Sequence, residues 1–170
     1  PADREMPRVT LRLHGANLDL QEGEFKRTFA RLLEETRESV SLVGKYAQEQ
    51  LPGLMRDVDW VVVPSIWWEN SPLVIQEAFM NGRPVICSDV GGMAEKVTDG
   101  VNGLHFRVGD PTSLASVIRR AVQSPATWKA MRQGIPPIYR LDDQVAKLRG
   151  WDGQLLAGGL LRSKVNAAIN

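Results

Sequence analysis

Two carboxylates eight positions apart, Glu69 and Glu77, bracket a Ser-Pro step in the stretch Glu69-Asn70-Ser71-Pro72-Leu73-Val74-Ile75-Gln76-Glu77. Carboxylates accept hydrogen bonds from hydroxyl groups. A helix starting between them would present free N–H groups to an anion. A ligand carrying both phosphate and hydroxyls would use both capacities, and a sugar nucleotide is such a ligand. Ser71 is a good N-cap and Pro72 suits a first helical turn, so the spacing predicts a helix from 72 to about Asn81-Gly82, where glycine supplies the stop.

The elements around this segment alternate. Asp59-Trp60-Val61-Val62-Val63-Pro64-Ser65 upstream is continuous in apolar residues, as buried parallel strands are, and Pro84–Ser88 downstream reads as the next strand. Earlier in the chain, Val9–Leu13 alternates with period two and meets His14-Gly15. Residues 24–38 carry Phe25, Phe29, Leu32 and Leu33 at helical spacing, Ser39–Val43 followed by Gly44 is a second strand and turn, and a short helix follows around Gln48–Met55. Later, Gly91-Gly92 opens a loop into a short helix at 94–97, and Asp99–Gly103 is turn chemistry before a strand at 104–106. Asp110-Pro111 starts a helix whose Leu114, Val117, Ile118, Ala121 and Val122 share a face, and further helices are expected near 126–133 and 141–157. Strands alternating with helices at this spacing predict an α/β fold: a doubly wound, Rossmann-like, mostly parallel sheet with helices on both faces. In such sheets ligands bind outside the carboxyl ends of the strands, where the loop holding Glu69 would lie. The expected organisation is one domain over 1–157, with 158–170 as a tail that frays.

Composition narrows the function. The chain has 170 residues, 43% hydrophobic and 24% charged, with a net charge of +1. Such a balance gives no electrostatic basis for nucleic-acid binding. Its single cysteine, Cys87, excludes an internal disulfide and any C-x-x-C metal pair, and its apolar neighbours predict a buried small hydrophobe. This usage fits a reducing compartment, and a cytoplasmic location is expected. No apolar run approaches the ~20 residues of a spanning helix. The chain begins Pro-Ala-Asp-Arg-Glu, without an initiator methionine or a signal-peptide core, and is expected to be part of a longer protein.

Together these segments resemble a known family. Glu69 to Glu77 resembles the E-x7-E motif of retaining glycosyltransferases of the GT-B fold, family 4 (glycosyl transferases group 1). Residues 59–65 resemble that family's apolar strand ending in Pro-Ser, and Glu77-Ala78-Phe79-Met80-Asn81-Gly82-Arg83-Pro84-Val85-Ile86 its "EAma.G.PVi" segment. Gly91-Gly92-Met93-Ala94-Glu95-Lys96-Val97 followed by Asp99-Gly100-Val101-Asn102-Gly103-Leu104 resembles its "GG..E.v.dg.nGl" segment. The ordered set, across roughly 9–125, is far more specific than E-x7-E alone. The resemblance implies one half of a GT-B architecture: the C-terminal domain, which binds a nucleotide-diphosphate sugar and faces an N-terminal acceptor domain. It further implies that the family's phosphate-binding Gly-Arg/Gln…Lys-Gly element precedes Pro1, so that the domain alone would be inactive. No cofactor and no metal are expected, and the parent protein could touch a membrane peripherally in making polysaccharide. A sugar-nucleotide epimerase of the same fold, or a non-catalytic nucleotide-sugar-binding domain, are the alternatives.

The resemblance also implies roles for single residues. Glu77 would accept from ribose hydroxyls, and Glu69 from hydroxyls of the transferred sugar; the ordinary alternatives are a surface helix acid and a solvated loop acid. Main-chain groups of Asn70, Ser71, Leu73 and Val74 would meet sugar or diphosphate oxygens. Many relatives have Gly-Phe-Gly-Leu-Val where this chain has Asn70–Val74, and Pro72 removes one N–H donor. Gly44-Lys45-Tyr46 would border the base pocket, Gly15 would let the nucleotide approach, and Gly91-Gly92 would leave room near the sugar or form a plain turn. His14, at a strand's carboxyl end, is the better site candidate of the two histidines, since His105 lies within a strand. Trp67-Trp68 would shield the cleft, touch the facing domain, or simply pack.

Overall fold

A computed structural model describes residues 8–15 and 18–138. The chain divides into two units, Pro1–Pro136 and Pro137–Asn170, and every element below lies in the first. The helix expected at 141–157 and the tail at 158–170 fall outside the described residues.

The order is β1 (Leu11–His14), α1 (Gly23–Glu35), β2 (Val40–Gly44), α2 (Leu51–Arg56), β3 (Val61–Val63), α3 (Leu73–Met80), β4 (Val85–Ser88), α4 (Gly91–Lys96), β5 (Gly103–Phe106), α5 (Pro111–Val122) and α6 (Pro125–Gln133). The alternation expected from sequence is present, and the class is α/β with parallel strands flanked by helices. The strands pair as two parallel ladders, β1-β2 and β3-β4-β5, rather than as one continuous sheet.

Alternate residues along the strands of the second ladder enter opposite faces, and helices cover both. Ile86, Leu104 and Phe106 pack with Val117 and Ala121 of α5 and Met131 of α6. The residues one step out of phase, Val85 and Cys87, are also buried, and α4 brings Met93 and Val97 into the core on their side. The valine, isoleucine, leucine, phenylalanine and methionine side chains among these each contribute about 1.5–3 kcal/mol by leaving water. The apolar face of α5 foreseen from sequence is the one used. Asp110 caps that helix, accepting from Ser113 N at 2.9 Å with Pro111 in the first turn.

Two element starts and one element end depart from expectation. Ser71 does not cap α3: Pro72 is extended (φ −61°, ψ 116°), so the helix begins one residue later, and Ser71 Oγ accepts instead from Gln76 Nε2 at 2.8 Å. Gly91-Gly92 is the first turn of α4, not a loop before it. The helix over 24–38 stops at Glu35, where Thr36 turns the chain and its hydroxyl donates to Leu32 O at 2.7 Å.

Candidate functional site

The segments carrying the candidate residues leave the sheets at strand carboxyl ends. Gly15 follows β1, Gly44-Lys45-Tyr46 closes β2, the 66–72 loop follows β3, and Gly91 lies just beyond β4. Parallel strands make this inevitable, because every connection to the next helix leaves from the same edge.

On one side the structure brings Glu69, Asn70, Gly91 and Gly92 together. Gly92 N donates to Glu69 O at 2.6 Å, and Glu69 N donates to Trp67 O at 3.0 Å. A Cβ on Gly92 would run into the carbonyl oxygens of Asn70 and Glu69. One on Gly91, which sits at φ +55°, would lie 3.2 Å from Glu69 O and from Trp68 Cα. The space these two glycines leave is therefore filled by the backbone of the Glu69 loop. Gly92 is glycine because a helix start and a loop approach to main-chain contact. The Glu69 side chain is half-buried at this junction, and that of Asn70 is exposed.

On the other side lie Gly15, Gly44 and Tyr46. Gly15 N donates to Gly44 O at 2.9 Å, and both glycines have positive φ (70° and 94°). Nothing occupies the position of a Cβ at either, in contrast to Gly92. His14 meets Tyr46 edge-on, with ring centroids 5.8 Å apart, and its Nδ1 is buried with no hydrogen-bond partner among the described residues. Lys45 is exposed.

Between the two sides runs α3. Ile75, Ala78 and Phe79 anchor it in the core, Leu73 is exposed at its start, Val74 and Glu77 are half-buried, and Ile75 N donates to Pro72 O at 3.2 Å. Glu77 Oε1 accepts a hydrogen bond from Gln48 Nε2 at 2.9 Å. Sequence reading did not single out Gln48. It lies 29 positions before Glu77 in an unremarkable polar run, and only the fold makes them neighbours.

The remaining candidates separate. His105 lies with Nε2 2.8 Å from Val97 O and serves β5 and α4, not the site. Trp67 and Trp68 are 74% and 81% exposed beside Glu69, so plain packing within the described residues does not account for them. Cys87 is fully buried, and burial, with Asp99 and Asp89 adding, pushes its thiol up to about 12, which leaves it unreactive. The sequence holds an Asp-x-Asp pair, Asp57 and Asp59, but it precedes β3, at the opposite end of that strand from Glu69. Among the described residues no group of three or more His, Cys, Asp or Glu side chains could hold a metal ion. No described helix is long and apolar enough to cross a membrane.

Comparison with known proteins bears on the family and the fold. The family model described as Glycosyl transferases group 1 matches residues 2–124. A D-inositol 3-phosphate glycosyltransferase of Streptosporangium roseum is 37% identical over 95 residues, which is 56% of this chain and 22% of that protein. A glycogen synthase of Mycobacterium tuberculosis is 33% identical over 96 residues, again 56% and 22%. Among solved structures, sucrose-phosphate synthase from Thermosynechococcus elongatus superposes with a TM-score of 0.72 at 28% identity, over 90% of this chain and 40% of that one. Anabaena HepE in complex with UDP-glucose superposes with a TM-score of 0.67 at 26% identity, over 91% and 41%. The chain thus matches about a fifth of the length of those sequence relatives and two fifths of the solved chains.

Proposed function

The chain belongs to the glycosyl transferases group 1 family, and from that membership we propose that it is the donor-binding half of a retaining glycosyltransferase, moving a sugar from a nucleotide-diphosphate sugar to an acceptor. The observation that carries this reading is the placement of two half-buried carboxylates on either side of the start of α3, with the Glu69 loop held by the first turn of α4.

In this reading the nucleoside lies toward the open Gly15–Gly44 side, its ribose hydroxyls donate to Glu77, and the diphosphate meets the first N–H groups of α3. Hydroxyls of the transferred sugar donate to Glu69, whose loop cannot drift because its carbonyl is bonded to Gly92 N. The bond between the anomeric carbon and the diphosphate oxygen breaks. The acceptor oxygen bonds to that carbon on the same face, and its proton passes to the departing diphosphate. Stabilising the charge on that leaving group supplies much of the rate. The cationic donors for it come partly from an upstream phosphate-binding element and a facing acceptor domain. No metal is assigned a part.

Calorimetric titration of the chain with UDP, GDP and ADP and their common sugar conjugates tests donor binding. Saturable binding of one series, weakened about tenfold or more by Glu77→Gln, is the expected result. Product analysis of the protein carrying this domain tests retention, and an inverted anomer would overturn it.

A further inference from the structure

The Glu77 carboxylate is held from outside its own helix. Gln48 Nε2 donates to Oε1 at 2.9 Å. Among the described residues this is the one side-chain hydrogen bond joining residues 8–50 to α3. Both ends of it are fixed by other means. Gln48 opens the 3-10 turn Gln48–Gln50, two positions beyond Tyr46, and that turn is closed by Ala47 N donating to Gln50 Oε1 at 2.8 Å and Gln50 N donating to Ala47 O at 2.9 Å. Leu51, buried at the start of α2, anchors its far end. Glu77 rides on a helix whose neighbours Ile75, Ala78 and Phe79 are in the core.

The chemical type of the partner matters. An ionised carboxylate offers about four lone-pair positions, and one amide N–H uses one of them. A lysine or arginine at position 48 would fix the carboxylate equally well, but would compete for its charge. A neutral amide sets the rotamer and leaves the negative charge, with Oε2 entire, for incoming hydroxyls. A preset acceptor avoids the ordering cost that a free glutamate side chain would pay on binding.

We propose that Gln48 is a positioning residue that presets Glu77 for the two hydroxyls of a ribose, and so makes binding select ribonucleotides over nucleotides lacking those hydroxyls. This rests on the reading that Glu77 receives the ribose. Gln48 also ties the base-side turn to α3, so one hydrogen bond links the two sides of the nucleoside site.

The test is calorimetry on the full chain with UDP, GDP and ADP, each beside its 2′,3′-dideoxy counterpart, for the parent sequence, Gln48→Ala, Gln48→Glu and Glu77→Gln. The parent is expected to prefer one ribonucleotide over its dideoxy form, and Glu77→Gln to erase that preference. Gln48→Ala should reduce the preference roughly three- to tenfold while leaving dideoxy affinity unchanged, and Gln48→Glu should reduce it further, because a second carboxylate would repel Glu77. Gln48 is exposed, so neither substitution threatens the fold. If Gln48→Ala keeps the full preference while Glu77→Gln loses it, Gln48 has no such role and the ribose reading stands. If Gln48→Ala weakens both forms equally, Gln48 supports the turn alone and the inference is overturned. If Glu77→Gln leaves the preference intact, or no nucleotide binds, the ribose reading itself fails and the inference with it.

Discussion

The two ladders are built differently. In β3, β4, β5 and their helices, alternate residues enter two covered faces, and Ile86, Cys87, Met93 and Leu104 are 2% exposed or less. In β1, α1 and β2 no described residue is buried. Phe25 and Leu32, on the apolar stripe of α1, are 50% and 47% exposed, and Phe25 stacks on Phe29 with ring centroids 6.0 Å apart. The first ladder is held by its own main-chain bonds and by surface pairs such as Arg31–Glu35, which contribute little. The second is held by a core. The candidate site straddles this divide: Glu69, Gly92 and α3 belong to the cored half, and Gly15, Gly44 and Tyr46 to the other. Under the proposed function, the sugar would meet the rigid half and the nucleoside the more yielding one.

The comparison breaks most directly on paired truncations. Ile86→Ala is expected to cost about 2–5 kcal/mol of unfolding free energy in urea, and Leu32→Ala under about 1 kcal/mol. Equal costs would mean that something covers α1 as completely as α5 and α6 cover β4. The next effect in size concerns the junction. Gly92→Ala must push the Glu69–Asn70 backbone away, at roughly 1–3 kcal/mol by overpacking. Its affinity for a nucleotide sugar should fall to that for the bare nucleotide, while the nucleotide alone binds nearly as before. Gly15→Ala, where the Cβ position is open but φ is positive, should cost about 1 kcal/mol, and its effect should fall on the nucleotide and its sugar conjugate equally. If Gly92→Ala also weakens both ligands equally, the division into a sugar side and a nucleoside side is wrong.

Much of this was legible in sequence because the signals were local. Strand patterning at Val61–Val63, the Asp110-Pro111 start of α5 and the Gly82 stop of α3 each rest on a few adjacent residues, and each is found. Glu69 and Glu77 were marked by spacing and by their place between strands. What was not legible depends on contacts between distant segments. The Gln48–Glu77 bond spans 29 positions, and Gly92's reason for being glycine lies in a loop more than twenty residues earlier. The division into two ladders was hidden for a related reason: period-two patterning tells which side of a strand is apolar, not whether another layer covers it. Ser71 shows local rules competing, since it is a good cap by type, but Pro72 delays the helix and Gln76 takes its hydroxyl.

The smallest effect uses Cys87 as a reporter of the cored half. Burial, helped by Asp99 and Asp89, raises its thiol from the ordinary 9.0 to about 12. An acid whose folded pKa is raised keeps its proton more tightly in the folded state. The resulting stability is present in full below pH 9, and is lost as pH rises from there through about 12. Against Cys87→Ala, the parent should therefore lose about 1 kcal/mol more between pH 8 and pH 10. At pH 8, a thiol reagent should reach Cys87 only as fast as β4 opens with the whole cored half, whereas a cysteine placed at exposed Leu42 on β2 should react at once. Slow labelling at both positions would show the first ladder to be as closed as the second, and would remove the contrast on which the two-sided site rests.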